Sequence, residues 1–586
     1  MNLYLHYSCP FLPLITLLTG FTFSSFSYAD TIQQQSIRIQ QQQNQLERQL
    51  AQSTDIHLST PEQSTEHFNL STPEQPCIQV KALSLKNPIS ELSSLIPELT
   101  RQTGFKSGMC LGANGIQYLQ NLAQNIVIDK GLITTQIVIE PQDLNSGMLF
   151  LTAVPGYMGK IKFNETGKKL TALGKYFSFS TKLGDLLDLT ALEQGLENLR
   201  RLSGVNATIQ IEPSENTEGA SDIIVDRQQE KWASIGIGFN NQGSKTTGKY
   251  QGNANLMLIN PLGMNDLLYV TYNKDLGHHK ITYVDQFGKK TKSGSKGYSL
   301  HYSVPFGKWL WTLNHSYYRY HEAIEGAYVN YDYSGKTYNT NLSLSREIFR
   351  SRNHKAMASV KLWRLRIYKY IDDAEIEVQR RQMGGWEIGI EHKAQLGRVK
   401  LEGGLSYKRG TGIFHSIAAP EEFNNEHDAI PGTARMKLIN AQFMLTAPFQ
   451  LANQMFSFDS SIFAQWNKTP LVPQDKLSIG NQYTVRGFDG EQNLSGERGW
   501  YWRNNLNWHY ADYHQLYLGF DVGRVSGLST RGLPHQQLVG AAIGIKGSAL
   551  LGGQLDYDLF VAKPLSKPDY FKTESTTFGL AFNYRY

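Results

Sequence analysis

From about Lys231 onward, apolar positions alternate with small or polar ones at a period of two. Ala233, Ile235, Ile237 and Phe239 alternate with Ser234, Gly236 and Gly238. Trp386, Ile388 and Ile390 alternate with Glu387, Gly389 and Glu391, and Val399, Leu401, Leu405 and Tyr407 with Lys400, Glu402, Gly404 and Ser406. Successive side chains of a strand point to opposite faces, so each run predicts a strand with one greasy and one polar face. The clearest run is the last, where Phe578, Leu580, Phe582, Tyr584 and Tyr586 alternate with Gly579, Ala581, Asn583 and Arg585. An outer-membrane barrel strand reads this way, with lipid on one side and lumen on the other. A sandwich edge strand is the alternative for that run taken alone. Tight links (Asn260-Pro261-Leu262-Gly263, Pro305-Phe306-Gly307, Pro448-Phe449) alternate with long polar segments, as short periplasmic turns and long outer loops do. Residues 231–586 are therefore expected to form a membrane β-barrel of about sixteen antiparallel strands, whose lumen is too wide for side chains to fill.

Between Cys77 and about Gln228 the pattern is mixed. Ile78, Val80 and Ala82 alternate as a strand; Ile116, Leu119, Leu122 and Ile126 fall at helical spacing; Ile137 and Ile139, then Leu149 and Leu151, return to period two. The order then repeats. Lys160 to Phe163 predicts a strand, Thr190 to Leu202 a helix opened by a Thr190-x-x-Glu193 capping box with Leu192, Leu196 and Leu199 on one face, and Ala207 to Glu212 a strand. Ile137-Val138-Ile139-Glu140-Pro141 against Ile209-Gln210-Ile211-Glu212-Pro213 exposes the duplication. Two small tandem α+β modules are expected, 77–157 and 158–230.

Upstream, Thr31 to Ala51 is nearly all Gln, with Ile32, Ile39, Leu46 and Leu50 among its few apolar residues. Its residues form helices well, yet a helix polar all round cannot bury itself in an ordinary core. A water-lined lumen and a disordered tail are both open to it. In 54–76 the hexapeptide Leu58-Ser59-Thr60-Pro61-Glu62-Gln63 recurs as Leu70-Ser71-Thr72-Pro73-Glu74-Gln75, which predicts an extended, mobile tether. The apolar run Phe11–Phe26 followed by Ser27-Tyr28-Ala29 predicts a secretory signal peptide over 1–29, although no Lys or Arg precedes the run.

Composition changes the picture in three places. Charged residues are 18% of the 586, and beyond the N-terminus no stretch of about 20 apolar residues exists, so helical spans are excluded. Cys9 would leave with the signal, placing Cys77 and Cys110 in an oxidising compartment where a disulfide is the natural state and two buried thiols the alternative. The net charge of +6 forms no basic stripe, so no nucleic acid is expected.

The candidate chemistry lies after the strand Met455 to Trp466. A long segment, 468–498, contains Val485-Arg486-Gly487-Phe488 and then Leu494-Ser495-Gly496-Glu497-Arg498-Gly499-Trp500. The strand Tyr501 to Trp508 follows, and the next strand contains Phe520-Asp521-Val522-Gly523. This resembles the sixth extracellular loop of the Omp85 superfamily, with its V-R-G-F/Y tip folded into the barrel and its Arg meeting the Asp of a D-x-G motif on the wall. The resemblance puts that lock on Arg486 and Asp521, with Val485, Gly487 and Phe488 in the tip and Gly523 in the wall motif. It departs at Gly519, where an aromatic is usual. A guanidinium reaching a carboxylate in a partly dry lumen makes a bidentate bond that Lys cannot reproduce.

The whole layout is similar to the two-partner-secretion transporters, the TpsB proteins, which include haemolysin activators and the outer-membrane half of contact-dependent inhibition systems. That resemblance implies a plug helix over 30–53, a linker, two POTRA modules with a Cys pair in the first, and a sixteen-stranded barrel in the Gram-negative outer membrane with the modules in the periplasm. It also implies a large β-rich exoprotein as client, engaged through its N-terminal secretion domain and moved without ATP. Implied too are contact with outer-membrane lipid and lipopolysaccharide, insertion by the barrel-assembly machinery through the C-terminal strand, and a monomer. An Omp85-type insertase is the alternative; a porin would not need the modules. No G-x-S-x-G, H-E-x-x-H or phosphate loop occurs, and His278-His279 lacks a third ligand, so no enzyme, cofactor or metal is expected. Glu491 and Glu497 flank the loop and read as polar loop contacts.

Overall fold

The computed structural model describes residues 74–586 apart from 278–282, 285, 289, 327 and 424–429, together with 41, 56, 58 and 68–72. The predicted leader, nearly all of the predicted plug helix and the His278-His279 pair lie outside the described residues.

Each predicted module is a three-stranded sheet backed by two helices. In the first, Ala82–Lys86 runs parallel to Met148–Val154, whose other side pairs antiparallel with Gln136–Val138. In the second, Tyr157–Gly167 runs parallel to Ala220–Gln229, which pairs antiparallel with Val205–Pro213. Ile137 and Ile209 thus hold the same place in the two sheets, which explains the sequence duplication. The helices Ala113–Asp129 and Leu189–Arg200 close the two cores with Leu119, Ile126, Leu192, Leu196 and Leu199. The expected capping box is not what starts the second of these helices. Asp188 is the N-cap: its carboxylate accepts from the Thr190 N–H and hydroxyl, and Glu193 accepts from the linker instead. Cys77 and Cys110 form a disulfide with Cα atoms 5.4 Å apart, beside the small ribbon Ile78–Val80 with Met109–Leu111.

The linker is docked at Ile56, Leu58, Phe68, Leu70 and Glu74, where composition predicts a free tether. Ile56 is buried in the second core, Leu58 packs against it, and Leu70 is buried in the first. The backbone N–H groups of Ile56 and Leu58 donate to Glu197 and Glu193 at 3.1 and 2.8 Å. Glu74 accepts from the N–H groups of Gly112, Asn114 and Gly115 at the start of Ala113–Asp129, where a carboxylate meets the positive end of the helix.

Sixteen long antiparallel strands, from Ala233–Asn240 to Thr577–Arg585, close into a barrel. Closure joins the first strand to the last, with Phe582 opposite Phe239 and Tyr584 opposite Ile237. The apolar face of the last strand points outward, and Phe578 is 65% exposed there. Among the described residues no helix is long and apolar enough to cross a membrane.

The second module is fastened to the periplasmic turns. Thr171 donates from N–H and hydroxyl to the Gly263 carbonyl, at 2.9 and 3.0 Å, and a Cβ on Gly174 would stand 2.1 Å from that oxygen. Asn198 donates to the Gly307 carbonyl at 2.9 Å, and Phe177 meets Phe306 edge to face at 4.8 Å. Arg201 donates to the carbonyls of Asn265 and Ser303 at 2.8 and 2.9 Å. Burial pushes its guanidinium down to about 10 against the opposing pull of Asp266, so it stays charged at neutral pH. Two of the three tight links picked out in the sequence, at Gly263 and Gly307, are therefore docking points.

Candidate functional site

The segment between the strands Gln454–Asn467 and Arg498–Ala511 folds inward as a hairpin of its own. Leu477–Ile479 pairs antiparallel with Leu494–Gly496, and the Val485-Arg486-Gly487-Phe488 tip lies between. Leu477, Ile479, Val485, Phe488 and Leu494 are buried with Val525 and Leu538 of the wall and with Phe571 of the last outer loop, which meets Phe488 edge to face. This apolar cluster makes the lumen partly dry at the level of the tip.

Arg486 and Asp521 are brought together there, with side chains 3% and 1% exposed. Arg486 Nε donates to Asp521 Oδ2 and Nη2 to Oδ1, both at 2.7 Å, and the Arg486 backbone N–H adds a third bond at 2.9 Å. The fork is bidentate, and its remaining reach goes to the Asn504 carbonyl at 3.3 Å. Arg503 stands 3.9 Å from the same carboxylate and donates to the Tyr483 carbonyl at 3.0 Å. Two guanidiniums thus face one aspartate, which holds both the tip and its approach.

Glycines on the wall make this seat. A Cβ on Gly523 would stand 2.9 Å from Val485, and one on Gly540 only 1.8 Å from the Arg486 carbonyl. The tip glycine, Gly487, has φ +98° and lies against the Lys563 carbonyl, so a side chain is excluded twice over. Gly519 also backs the guanidinium. The aromatic expected there is supplied instead by Tyr517, whose ring lies 5.7 Å from Arg486 Cζ and whose hydroxyl donates to Asp558 at 2.9 Å.

Glu491 and Glu497 are polar loop contacts. Glu491 accepts from the Lys245 N–H at 3.0 Å, and Glu497, buried, accepts from Ser529 and faces Lys476 at 3.4 Å. Lys245 bridges Asp489 and Glu574, at 3.2 and 2.6 Å, and so ties the loop to its outer neighbours. Gln41, the one described residue of 30–53, is helical, donates to the Ser478 carbonyl at 3.2 Å and accepts from Asn481 at 3.0 Å.

Sequence reasoning missed a second cluster, at the periplasmic mouth. Arg350 Nη1 and Nη2 donate to Glu197 at 2.9 and 2.6 Å, Lys355 donates to it at 2.5 Å, and Arg350 also meets Glu347 at 2.7 Å. Burial raises the Glu197 carboxyl, but the two cations outweigh it and hold it below the ordinary range. The available signal was Arg350-Ser351-Arg352-Asn353-His354-Lys355, a cationic run where a bare turn would suffice.

Residues 219–547 match the family described as haemolysin secretion/activation protein ShlB/FhaC/HecB. The chain belongs to this family. Residues 86–156 match its ShlB-type POTRA domain and 157–213 a further POTRA domain, on the two modules described above. The outer membrane transporter CdiB-2 of Burkholderia pseudomallei (strain 1026b) is 31% identical over 564 residues, covering 92% of each chain. The hemolysin transporter protein HpmB of Proteus mirabilis is 24% identical over 535 residues, covering 87% of this chain and 88% of that one. The solved structure of CdiB from Acinetobacter baumannii superposes with a TM-score of 0.79 at 28% identity, covering 96% of this chain and 99% of that one. As a ShlB/FhaC/HecB-type protein, the chain is an outer-membrane transporter of the two-partner-secretion kind, with its POTRA modules in the periplasm.

Proposed function

We propose that this transporter takes one large, β-rich exoprotein from the periplasm, engages its N-terminal secretion domain through the POTRA pair, and passes it through the barrel. The observation that carries this reading is the union of module and mouth. The second module is bonded to three successive periplasmic turns, so a client held on its sheet is held at the lumen entrance. Its edge strand Val205–Pro213 pairs on one side only among the described residues, as does Tyr157–Gly167 beyond a bridge of Tyr157 to Leu186, and both offer strand addition to an extended client. The periplasm has no ATP, so folding outside the cell supplies the drive. Insertion by the barrel-assembly machinery through the Phe578–Tyr586 face, contact with outer-membrane lipid and a monomeric state belong to the same proposal, as does the absence of an enzymatic step.

In the resting state the segment 31–51 occupies the lumen beside the inward loop; the Gln41 bonds to Ser478 and Asn481 support this. Deleting 31–51 raises single-channel conductance in planar bilayers if so, and leaves it unchanged if the segment lies elsewhere.

Recruitment is tested by pull-down with the N-terminal domain of a very large secreted protein, sought first in the gene neighbouring this one. The full-length transporter is expected to bind it and the barrel without residues 77–228 to fail. Equal binding by the barrel alone ends the recruitment reading.

A further inference from the structure

The lipid-facing wall carries a row of cations at its outer rim that form no ion pair among the described residues. Lys274, Lys296, Arg319 and Lys336 sit on four consecutive strands and are register partners: Lys274 opposite Lys296, Lys296 opposite Arg319, Arg319 opposite Lys336. Lys274 and Lys296 lie at strand ends that border an outer loop, and Arg319 and Lys336 lie six residues inside the outer ends of theirs. One pair inward along the same strands, Tyr272, Tyr298, Tyr317 and Tyr338 are also register partners. Tyr272 and Tyr298 are exposed, which places this face toward lipid and identifies the tyrosines as part of an aromatic girdle. The cations therefore stand just above the girdle, at headgroup level.

On the next strand the cations step down the register. Arg366 is opposite Tyr338, and Arg364 is opposite Thr340. Strands tilted by roughly 35–45° require such a descent if the charges are to keep one height in the membrane. The first four cations follow the hydrogen-bond ladder, and the fifth strand alone steps down from it.

Like charges directly opposite each other destabilise a sheet, so such a row calls for an anion. The described residues do not supply it. None of the six cations forms an ion pair with a described carboxylate, and the Nε atoms of Arg319, Arg364 and Arg366 are buried with no acceptor. Asp332 and Glu375, on the same face, are held by His321 and Arg380 at 2.8 and 2.6 Å. Lys336 lies over the Tyr370 ring at 4.6 Å and also faces the Glu375 carboxylate beyond ion-pair distance, so it is the one partly balanced member of the row.

We infer that this rim binds the phosphorylated glycolipid of the outer leaflet, its phosphates bridging Lys274, Lys296, Arg319 and Lys336 and its acyl chains lying along the tyrosines. Three strand spacings span about 14 Å, room for two phosphates on one sugar backbone. Arginine forks suit phosphate oxygens, and lysines add point charge. The inference rests on outer-membrane placement and not on the secretion reading.

The test is native mass spectrometry of the full-length protein, delipidated in mild detergent and titrated with bisphosphorylated lipid A, fully dephosphorylated lipid A or inorganic phosphate. Bisphosphorylated lipid A should be retained at least about tenfold better than the dephosphorylated form, the ratio one charge-assisted bond supplies. The variant Lys274→Gln/Lys296→Gln/Arg319→Gln/Lys336→Gln should lose that preference while keeping heat-modifiable migration. If it does not fold, the pair Lys274→Gln/Lys296→Gln should lower the preference in the same assay. Equal retention of the two lipids, or an unchanged preference in the folded variants, overturns the site. Displacement of the lipid by millimolar inorganic phosphate overturns the assignment to a lipid headgroup. Secretion is not measured, so failure here leaves the transport reading untouched.

Discussion

Arg486 rests against the bare Cα of Gly519: a Cβ built at residue 519 would stand 2.6 Å from one guanidinium nitrogen and 2.8 Å from its carbon. The loop tip and the wall are fitted to each other at that point. Gly519→Ala is expected to push the fork off Asp521 and to destabilise the folded loop by about 1–3 kcal/mol, as overpacking does. The midpoint of heat-modifiable migration on gels should fall. An unchanged midpoint would mean that the guanidinium has room to shift.

Arg486→Ala should strongly reduce secretion at equal surface levels, with barrel assembly largely intact because the girdle and the last strand are untouched. Arg486→Lys should also be impaired, since an ammonium cannot span both Asp521 oxygens at once. Asp521→Ala should match Arg486→Ala, and the double variant should be no worse than either. Simple addition of the two losses would show that the groups act separately.

The Cys77–Cys110 bridge spans 33 residues and should contribute about 3.7 kcal/mol by loop closure. Non-reduced, alkylated peptides of the mature protein should show the crosslink by mass spectrometry. Two alkylated thiols would refute it.

Docking of the second module should depend on pH through Glu197. Its carboxyl is depressed in the folded protein, so the stabilisation is complete above the ordinary carboxylate value of about 4.3 and is lost as pH falls through the lower, folded one. Spin-label distances between the helix Ala172–Ser178 and the barrel should be single and sharp at neutral pH and broaden on strong acidification. Glu197→Gln should broaden them already at neutral pH, because Arg350 and Lys355 then face a neutral group. A sharp distribution for that variant would assign the docking to the Thr171 and Asn198 contacts instead.

Periodicity made the barrel and both modules legible, because a lipid face and a core face are each written along a single strand or helix. The Arg486 tip and the Asp521 wall were legible as two motifs. Their seat was not, because Gly519 and Gly540 carry information only once a strand and a loop are placed against each other. The Glu193 reading failed for a local reason: Asp188 captures both the N–H and the hydroxyl of Thr190, so the expected box has no Thr side chain left to close it. The tether looked free because proline and polar residues rule out a core of its own, yet Ile56, Leu58 and Leu70 borrow the cores of the modules. Glu197 and Arg350 lie 153 residues apart, and no periodicity links them.

Glu197 is a three-way joint. One carboxylate receives the tether through Ile56 and the barrel through Arg350 and Lys355, while its own helix belongs to the second module. A swing of that module would break the bonds to the barrel while carrying the docked tether with it. The tether therefore travels with the module, and a client that tilts the module also shifts the leash on whatever the leash restrains.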